Sequence, residues 1–371
     1  DSQKKALSQV EQAMEDDAVT TVLIDGVTGS GKTEVYLQAI EGALKRGQGA
    51  IVLVPEISLT PQTVTRFRSR FGDQVAVMHS KMSPGERYDQ WDLLRCGAAR
   101  IVVGARSALF MPVQNLGLII VDEEHETTYK QESAPRYVTR DVACWMARQR
   151  SCTVVLGSAT PSIESLYHAK HDPAWTYARL PERANGRPLP KVEVVDMAVE
   201  FHDSKGRIFS KKLANAIREE LSANHKVVLL LNQRGFARFL LCRDCGFVPE
   251  CRHCSTTLTF HEEGNKLVCH HCGYTLGAPP VCPSCQSPYL KRYGMGTQRV
   301  EAELKSLLSA QEGLIPGIAA PASEHLTPQV IRMDADTTAA KGAHQRLLEQ
   351  FATAPAAVLL GTQMIAKGLD F

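Results

Sequence analysis

The sequence predicts an α/β fold built on parallel sheets. Short runs rich in Val, Ile and Leu alternate with amphipathic stretches, which is typical of parallel strands covered on both faces by helices. This pattern occurs twice, before and after a segment with three prolines at residues 181–192. Eight of the eleven cysteines fall between residues 242 and 285, inside the second region. We therefore expect two α/β domains, the second interrupted by a small cysteine-rich insertion.

Individual segments of the chain support this expectation. In the first region, strands are expected at residues 22–25, 50–54, 75–79, 100–104, 118–122 and 153–157, and helices at 33–46 and 61–71. In the second region, helices are expected at 210–223, 300–308 and 344–351, and strands at 226–231, 330–333 and 357–361. The expected domains are 1–182, a linker at 183–192, a second domain formed by 193–241 and 291–371, and an insertion at 242–290.

Composition excludes several classes of protein. The net charge is only +2, from 42 Lys and Arg against 40 Asp and Glu, whereas a dedicated nucleic-acid-binding domain is usually far more basic. Any contact with nucleic acid must therefore use local patches. No apolar run approaches the roughly 18 residues of a membrane span. The first five residues, Asp-Ser-Gln-Lys-Lys, do not open a signal peptide.

A phosphate-binding loop is the clearest motif of the first region. Residues 26–33 read Gly-Val-Thr-Gly-Ser-Gly-Lys-Thr, which matches G-x-x-x-x-G-K-[ST] between an expected strand and an expected helix. In such loops backbone N–H groups turn onto phosphate oxygens, Lys32 reaches the β- and γ-phosphates, and the Thr33 hydroxyl binds Mg²⁺. A chance match is the alternative, and the strand–loop–helix context argues against it. The predicted nucleotide-binding residues of this loop are Gly26, Thr28, Gly29, Ser30, Gly31, Lys32, Thr33 and Glu34.

An acidic motif follows the strand expected at residues 118–122. Its carboxylates come at the carboxyl end of that strand, where open α/β sheets bind ligands. We predict that Asp122 holds Mg²⁺ and that Glu123 orients or deprotonates the attacking water. A solvated acidic turn is the alternative. With Lys32, these residues predict phosphoryl transfer from a nucleoside triphosphate to water, without indicating what the hydrolysis drives.

The cysteines of the insertion form four Cys-x-x-Cys pairs. Each pair can present two sulfurs to one ion, and structural Zn²⁺ takes four thiolates tetrahedrally. Eight thiolates therefore predict two structural zinc sites, and the thiolates leave no coordination position for the nearby histidines. Disulfides and an iron–sulfur cluster are the alternatives, and the spacing permits either nested or sequential pairing. The pairs are Cys242 with Cys245, Cys251 with Cys254, Cys269 with Cys272, and Cys282 with Cys285.

The order of these motifs resembles that of the superfamily 2 helicases. The stretch Asp122-Glu-Glu-His125 is similar to their D-E-x-H box. Residues 53–62, 103–110, 157–162, 231–237 and 361–371 are similar to motifs Ia, Ib, III, IV and V. The wording GVTGSGKTEVY at 26–36, VPEISLTPQ at 54–62 and the cysteine pairs after motif IV resemble the PriA family of replication-restart helicases in particular. Over essentially the whole chain, the resemblance implies two RecA-like lobes with a two-zinc insertion in the second.

The resemblance also implies an activity. It is that of an ATP-dependent 3′-to-5′ DNA helicase, which restarts stalled or branched forks and helps to assemble the primosome. The implied cofactors are ATP, Mg²⁺ and two Zn²⁺, and the implied location is the bacterial cytoplasm at the nucleoid. The implied partners are forked or branched DNA with single-stranded regions, other primosome proteins and single-strand-binding protein, with no membrane. We expect a longer parent protein, because motif VI with its arginine finger would lie beyond Phe371.

Several site residues follow only from the resemblance. The resemblance adds His125 to the catalytic residues. Together with residues 158–160, His125 is implied to couple the state of the bound nucleotide to the binding of DNA. Gln3 and Asp370 are added to the nucleotide contacts. The implied cysteine pairing is nested: Cys242, Cys245, Cys282 and Cys285 bind zinc 1, and Cys251, Cys254, Cys269 and Cys272 bind zinc 2.

The predicted DNA contacts come from the motifs and from one loop. Arg106, Arg234 and Thr362 of motifs Ib, IV and V are expected to hold backbone phosphates without reading sequence. Residues 127–141 resemble the aromatic-rich loop thought to sense single-stranded DNA, in which bases stack on aromatic rings while cations follow phosphates. The matching residues are Tyr129, Lys130, Arg136 and Tyr137. A lid loop that packs its tyrosines inward is the alternative.

Two other functions fit parts of the sequence. A DNA translocase of the competence type would share the motor motifs, but such proteins carry fewer cysteines, placed differently. A non-catalytic scaffold could use the zinc insertion to bind primosome proteins. The intact Lys32, Thr33, Asp122 and Glu123 argue against a motor that has lost its activity.

Overall fold

The chain folds as two compact units, Asp1–Lys191 and Val192–Phe371. The computed structural model describes residues 1–16, 18–55, 61–80, 82–131, 133–197, 199–200, 208–231, 239–254, 256–261, 264–269, 272–293, 297–309, 328–334, 337–338, 343–362 and 365. Both units combine parallel strands with helices, so the α/β prediction is confirmed. Residues 181–196 form no helix or strand. The finer boundaries predicted for the linker and the insertion stay a prediction.

The first unit is built on a seven-stranded sheet. Its helices are α1 (Ser2–Ala13), α2 (Lys32–Lys45), α3 (Pro61–Phe71), α4 (Pro84–Arg95), α5 (Thr139–Arg150) and α6 (Ile163–His171). Its strands are β1 (Thr21–Gly26), β2 (Gly49–Leu53), β3 (Val75–Met78), β4 (Ile101–Gly104), β5 (Leu116–Asp122), β6 (Thr153–Ser158) and β7 (Trp175–Leu180). Short 3₁₀ turns at Gly72–Gln74, Arg106–Phe110 and Thr127–Tyr129 complete the connections. All six strands predicted for this region are present.

Every strand pairing in this sheet is parallel, in the order β3-β4-β2-β5-β6-β1-β7. Successive side chains alternate between its two faces. Val22 and Ile24 join a core with α1, α2 and α3, while Leu23 joins a second core with α4 and α5. Because both faces are covered, the strands read as continuous apolar runs.

Strand β7 was not among the predicted strands. It lies at the sheet edge beside β1, and Trp175, Ala178 and Leu180 are buried while Tyr177 and Arg179 are exposed. The side chains of an edge strand need not all be buried, so this segment lacks the continuous apolar run that marks the central strands.

The second unit has a smaller parallel sheet. Its helices are α7 (Lys211–Ser222), α8 (Thr297–Ser309) and α9 (Ala343–Thr353). The strands of its sheet are β8 (Lys226–Leu230), β14 (Gln329–Met333) and β15 (Ala357–Gly361). They lie in the order β14-β15-β8. Helices α7 and α8 cover one face through Ile217 and Leu304, and α9 covers the other through Phe351. Within the described chain, none of the helices has both the length and the apolar character to cross a bilayer.

The insertion consists of short antiparallel strands. Strands β9 (Phe239–Cys242) and β13 (Leu290–Tyr293) pair with each other, and β10 (Thr259–His261), β11 (Lys266–Val268) and β12 (Thr275–Gly277) form a three-stranded sheet. Its core is small. The buried residues of this core are Leu240, Cys251, Leu258, Phe260, Leu267 and Cys269.

Candidate functional site

Three strands carry the predicted nucleotide site to one edge of the first sheet. Strand β6 lies between β1 and β5, and the register pairs Asp25 with Ser158 and Asp122 with Gly157. The loop after β1, the acidic motif after β5 and the motif after β6 therefore meet at the carboxyl ends of adjacent strands. Open α/β sheets bind their ligands at this edge.

The loop at residues 26–33 depends on its glycines. Gly29 and Gly31 have φ angles of 80° and 85°, in the left-handed region that favours glycine. A Cβ on Gly26 would lie 2.7 Å from the Ser30 hydroxyl oxygen. Lys32 begins α2 and donates from Nζ to the Gly26 carbonyl at 2.6 Å. The ammonium group is thus held at the start of the helix, where the helix dipole also favours anions.

The loop fits a phosphate ligand. The Ser30 side chain is buried, and its hydroxyl has no hydrogen-bond partner among the residues that the structure describes. Buried polar groups without a protein partner commonly bind ligand or water. The exposed Thr28 and Gly29 and the half-buried Thr33 border the same loop.

Two other predicted nucleotide contacts have protein partners. Gln3 lies on α1 and donates from Nε2 to the Ser30 carbonyl at 2.8 Å, so it contacts the loop itself. Glu34 accepts from Gln38 at 2.7 Å and pairs with Arg70 of α3 at 3.1 Å. The structure therefore places Glu34 in a bridge between α2 and α3.

Asp122 occupies a half-buried position at the end of β5. The Tyr36 hydroxyl of α2 donates to its Oδ1 at 2.9 Å. Burial, and then repulsion from Glu123, raise the pKa of Asp122 to about 6, while the Tyr36 hydrogen bond and Lys32 oppose the rise. Gly157 leaves room for the ring, since a Cβ there would lie 1.6 Å from the Tyr36 hydroxyl.

The residues after Asp122 connect the acidic motif to β6. Glu123 has a φ of 51°, a conformation that non-glycine residues seldom adopt and that often occurs at functional sites. His125 Nδ1 lies 2.6 Å from the Ser158 hydroxyl and 3.6 Å from a Glu123 carboxylate oxygen. The Ser158 hydroxyl also accepts from the Thr160 backbone N–H at 2.9 Å. The structure thus brings His125 together with the motif predicted to couple to it.

Glu124 is a functional candidate that the motif assignments missed. Its carboxylate is buried and accepts from the Ser162 backbone N–H at 2.6 Å, and from the hydroxyls of Ser162 and Ser165 at 3.0 and 2.9 Å. Arg140 of α5 lies 3.9 Å from it and donates to the Ser162 hydroxyl at 3.0 Å. Since Ser162 caps α6, Glu124 fixes the start of that helix against the acidic motif. The only sequence signal was a second glutamate beside Glu123.

The two tyrosines of the predicted DNA-sensing loop differ in burial. Tyr129 is only 2% exposed and donates its hydroxyl to the Asp122 carbonyl at 2.8 Å, so this ring packs inward as the alternative reading describes. Tyr137 is half-buried and meets Phe110 edge to face at 5.5 Å. Arg106 lies 6.0 Å from the Tyr137 ring centroid.

The basic residues of this region are held at the surface. Arg106 donates to the carbonyls of Thr128 and Lys130 at 3.0 and 2.7 Å, which fixes its guanidinium beside the loop. Lys130 and Arg136 are exposed. Thr362 is half-buried after β15, whereas Arg234 and Asp370 lie outside the described residues.

The eight cysteines of the insertion gather in two groups of four. Cys242, Cys245, Cys282 and Cys285 form one, and Cys251, Cys254, Cys269 and Cys272 form the other. Within each group all sulfurs lie within 4.8 Å of one another, and several pairs lie 3.5 Å apart. Four thiolates about 2.3 Å from one Zn²⁺ would be about 3.8 Å apart in a tetrahedron, so both groups fit a zinc ion. This is the nested grouping.

Tight turns present the sulfurs of these pairs. The Cys242, Cys269 and Cys282 backbone N–H groups each donate, at 2.8 Å, to the carbonyl five residues later. The residue after the second cysteine is left-handed at Gly246, Gly273 and Gln286. Glycine suits two of these positions because it lacks the Cβ that makes this conformation unfavourable.

Comparison with known proteins gives two family matches. The family model described as DEAD/DEAH box helicase matches residues 1–168, and that described as PriA DNA helicase Cys-rich region (CRR) domain matches residues 251–276. The chain is 48% identical to the replication restart protein PriA of Bacillus subtilis, over 100% of this chain and 44% of that protein. It is 42% identical to the replication restart protein PriA of Chlamydia pneumoniae, over 100% of this chain and 47% of that protein. It thus spans less than half the length of these curated relatives.

Solved helicase structures are similar in fold. The structure of RecG bound to a three-way DNA junction aligns with 97% of this chain and 36% of its own, with a TM-score of 0.51 and 16% identity. The DEAD-box helicase Mss116 bound to single-stranded RNA and UDP-BeF aligns with 100% of this chain and 62% of its own, with a TM-score of 0.56 and 12% identity. The prediction of RecA-like parallel-sheet lobes with a cysteine-rich insertion is confirmed.

Proposed function

Because the chain belongs to the PriA family of replication restart helicases, we propose that it forms the motor of an ATP-dependent DNA helicase. The observation that carries the proposal is the meeting of the Lys32 loop, Asp122 and the His125–Ser158 pair at one sheet edge. Family membership favours movement in the 3′-to-5′ direction, action at stalled or branched forks in the bacterial cytoplasm, and a role in primosome assembly.

Each side chain at this edge has a distinct task in the proposed reaction. Bound Mg²⁺–ATP supplies the phosphoryl group and part of the neutralising charge. Lys32 and the amides of the glycine loop hold the phosphates, and Thr33 and Asp122 supply oxygen ligands for the metal ion. Glu123 orients the attacking water. His125, bonded to Ser158, links the state of the acidic motif to the motif after β6.

DNA is the proposed polymer substrate. Tyr137 has the Arg106 guanidinium beside its ring, and Lys130 is exposed on the same loop. Aromatic rings and cations together bind single strands through stacking and phosphate contacts. The structure of RecG, which is similar in fold, was determined with a three-way DNA junction, which supports this substrate. Gln3 and Asp370 are proposed nucleotide contacts, and Arg234 and Thr362 are proposed phosphate contacts.

The zinc insertion is proposed to be structural and to bind partners. Its thiolates fill both tetrahedral groups, so it has no open position for catalysis. A rigid exposed module of this kind can bind primosome proteins or single-strand-binding protein while the first unit hydrolyses ATP. A scaffold with little unwinding is the competing function.

The decisive experiment is ATP hydrolysis by the full-length protein with and without forked DNA. We expect the fork to raise the rate about tenfold or more, because a motor that moves on DNA couples hydrolysis to the strand. Strand separation on the same fork, with a single-stranded tail of either polarity, then tests the direction.

A matched tyrosine pair sharpens this experiment. Tyr137→Ala should raise the DNA concentration needed for half-maximal stimulation about tenfold, because stacking on one ring contributes about 1–3 kcal/mol per base. Tyr167→Ala, which removes a ring that is 59% exposed on α6, should leave that concentration unchanged. A rate that no DNA stimulates would contradict the motor and favour the scaffold.

Tyr36→Phe should weaken the binding of the Mg²⁺ that ATP turnover requires, most strongly at low pH. The Tyr36 hydroxyl favours ionised Asp122, so its loss should raise the pKa of Asp122 above about 6. Protons then compete better with Mg²⁺ below that pKa, and the competition fades as pH rises above it. We expect the Mg²⁺ concentration for half-maximal ATP turnover to rise several-fold at pH 6.5 and less at pH 8.

The matching control is Tyr167→Phe, which removes an equivalent hydroxyl from a ring exposed on α6. An Mg²⁺ requirement in Tyr36→Phe that is unchanged, or that is raised equally at both pH values, would show that the hydroxyl does not tune Asp122.

A further inference from the structure

The segment after β7 runs along the nucleotide loop. Leu180 accepts from the Val27 backbone N–H at 3.1 Å, and the Ala184 N–H donates to the Gly29 carbonyl at 2.8 Å. Between these bonds, the Cγ and Cδ atoms of Arg183 lie 3.7 and 3.9 Å from the position that a Cβ on Gly29 would occupy. The alkyl part of Arg183 therefore packs against the central glycine of the loop.

One nitrogen of the Arg183 guanidinium is buried and unsatisfied within the described residues. Its Nε is buried and makes no hydrogen bond within the part of the chain that the structure describes, and no carboxylate there pairs with the side chain. The neighbouring Ser30 hydroxyl is likewise buried without a partner. Arginine stays charged at all physiological pH values, and buried donors are almost always satisfied. Two unsatisfied polar atoms thus lie along the glycine loop, one on the arginine that packs against Gly29 and one on Ser30, whose hydroxyl oxygen lies 2.7 Å from the Cβ position of Gly26.

We propose that Arg183 is a phosphate-binding residue of the nucleotide site. Its guanidinium donates to a phosphate oxygen of the nucleotide beside Gly29, where its alkyl part already packs. Arginine is suited to this because its planar fork forms paired, charge-assisted hydrogen bonds with phosphate. The inference rests on the proposed ATP site and adds a contact from outside the recognised motifs.

Nucleotide binding, measured without turnover, tests the proposal. The full-length protein is titrated with a fluorescent ADP, which is then displaced by ADP or by inorganic pyrophosphate. We expect Arg183→Ala to weaken binding of both ADP and pyrophosphate about tenfold, as expected for loss of a charge-assisted bond. Arg183→Lys should recover part of the loss, because it keeps the charge without the fork.

Arg187→Ala is the matched control, since Arg187 is exposed four residues further along the same segment. It should bind both displacers as the parent does. Equal thermal melting of the variants excludes a folding defect as the cause of weaker binding.

The outcomes separate this inference from the proposed function. Weaker binding of ADP with unchanged binding of pyrophosphate would overturn the phosphate assignment, because the contact would then be to base or ribose. Unchanged binding of both would overturn any nucleotide role for Arg183. If Lys32→Ala also leaves both affinities unchanged, the failure lies in the nucleotide site itself; if only Lys32→Ala weakens them, it lies in the role of Arg183.

Discussion

Replacing Lys32 by alanine is expected to lower ATP turnover by about 100-fold or more, while both zinc groups keep their metal. The ammonium group starts α2 and lies 2.6 Å from the Gly26 carbonyl, at the loop that the phosphates would enter. Phosphoryl transfer depends mainly on positioning and on neutralising charge, and removing one such electrostatic group commonly costs a factor of about 10²–10³. The zinc groups lie in the other unit, so their folding does not depend on this side chain. Steady-state ATP hydrolysis and zinc content per chain measure the two effects.

Lys45→Ala is the matched control for this variant. Lys45 ends the same helix, with its side chain 74% exposed in an i,i+4 pair with Glu41. Such exposed pairs contribute little to stability, and Lys45 lies at the far end of the helix from the loop, so turnover should not change. A Lys32→Ala protein that keeps more than about a tenth of its activity would contradict the phosphate role. Loss of zinc in the same protein would contradict the modular picture of the chain.

The elements of the fold that could be predicted are those whose whole environment is apolar. Strands β1, β2 and β5 are buried on both faces, and their sequences are continuous runs of Val, Ile and Leu. Strand β7 and helix α6 lie at less buried positions, where Tyr177, Ile163 and Tyr167 remain exposed. Periodicity is weak there, so tertiary pairing decides the structure.

The residues of the candidate site likewise fall into those that a local motif predicts and those that it does not. Residues of the glycine loop and the acidic motif are close in sequence to the strand ends that position them, so a motif predicts their meeting. Tyr36, Glu124 and Arg183 act through partners 38 to 154 positions away, namely Asp122, Ser162 and Gly29. No local pattern specifies such contacts. They follow from the strand order, which brings β1, β5, β6 and β7 together.

For the predicted DNA contacts, the resemblance of the loop did not indicate which tyrosine is accessible. Tyr129 and Tyr137 stand eight residues apart in one aromatic-rich segment, yet one ring is buried under Asp122 and the other lies beside Phe110 and Arg106. Composition alone does not distinguish them, since burial of each ring depends on its neighbours. The DNA contacts stay a prediction, for which Tyr137 now has the better geometry.

Cys282→Ser is expected to remove one zinc ion per chain and to unfold the strand pair β9–β13. Cys282 is fully buried, and its sulfur lies 3.5 Å from that of Cys245. Structural zinc supplies about 10–16 kcal/mol of apparent binding energy in zinc-finger peptides, far more than the small apolar core of the insertion can replace. Zinc content and hydrogen exchange in these strands measure the loss. Cys96→Ser, which alters an exposed thiol of the first unit, should retain both ions.

Double variants decide how the cysteines are paired, because two losses within one site cost one ion and two losses in separate sites cost both. In the nested grouping, Cys242 and Cys282 share an ion, so the pair of serine substitutions should still leave one zinc per chain. Cys269 and Cys282 belong to different ions, so that pair should leave none. Sequential pairing would exchange these two results, since Cys282 would then share its ion with Cys269 and not with Cys242. The comparison is internal to the protein, because each pairing predicts the opposite order of zinc contents.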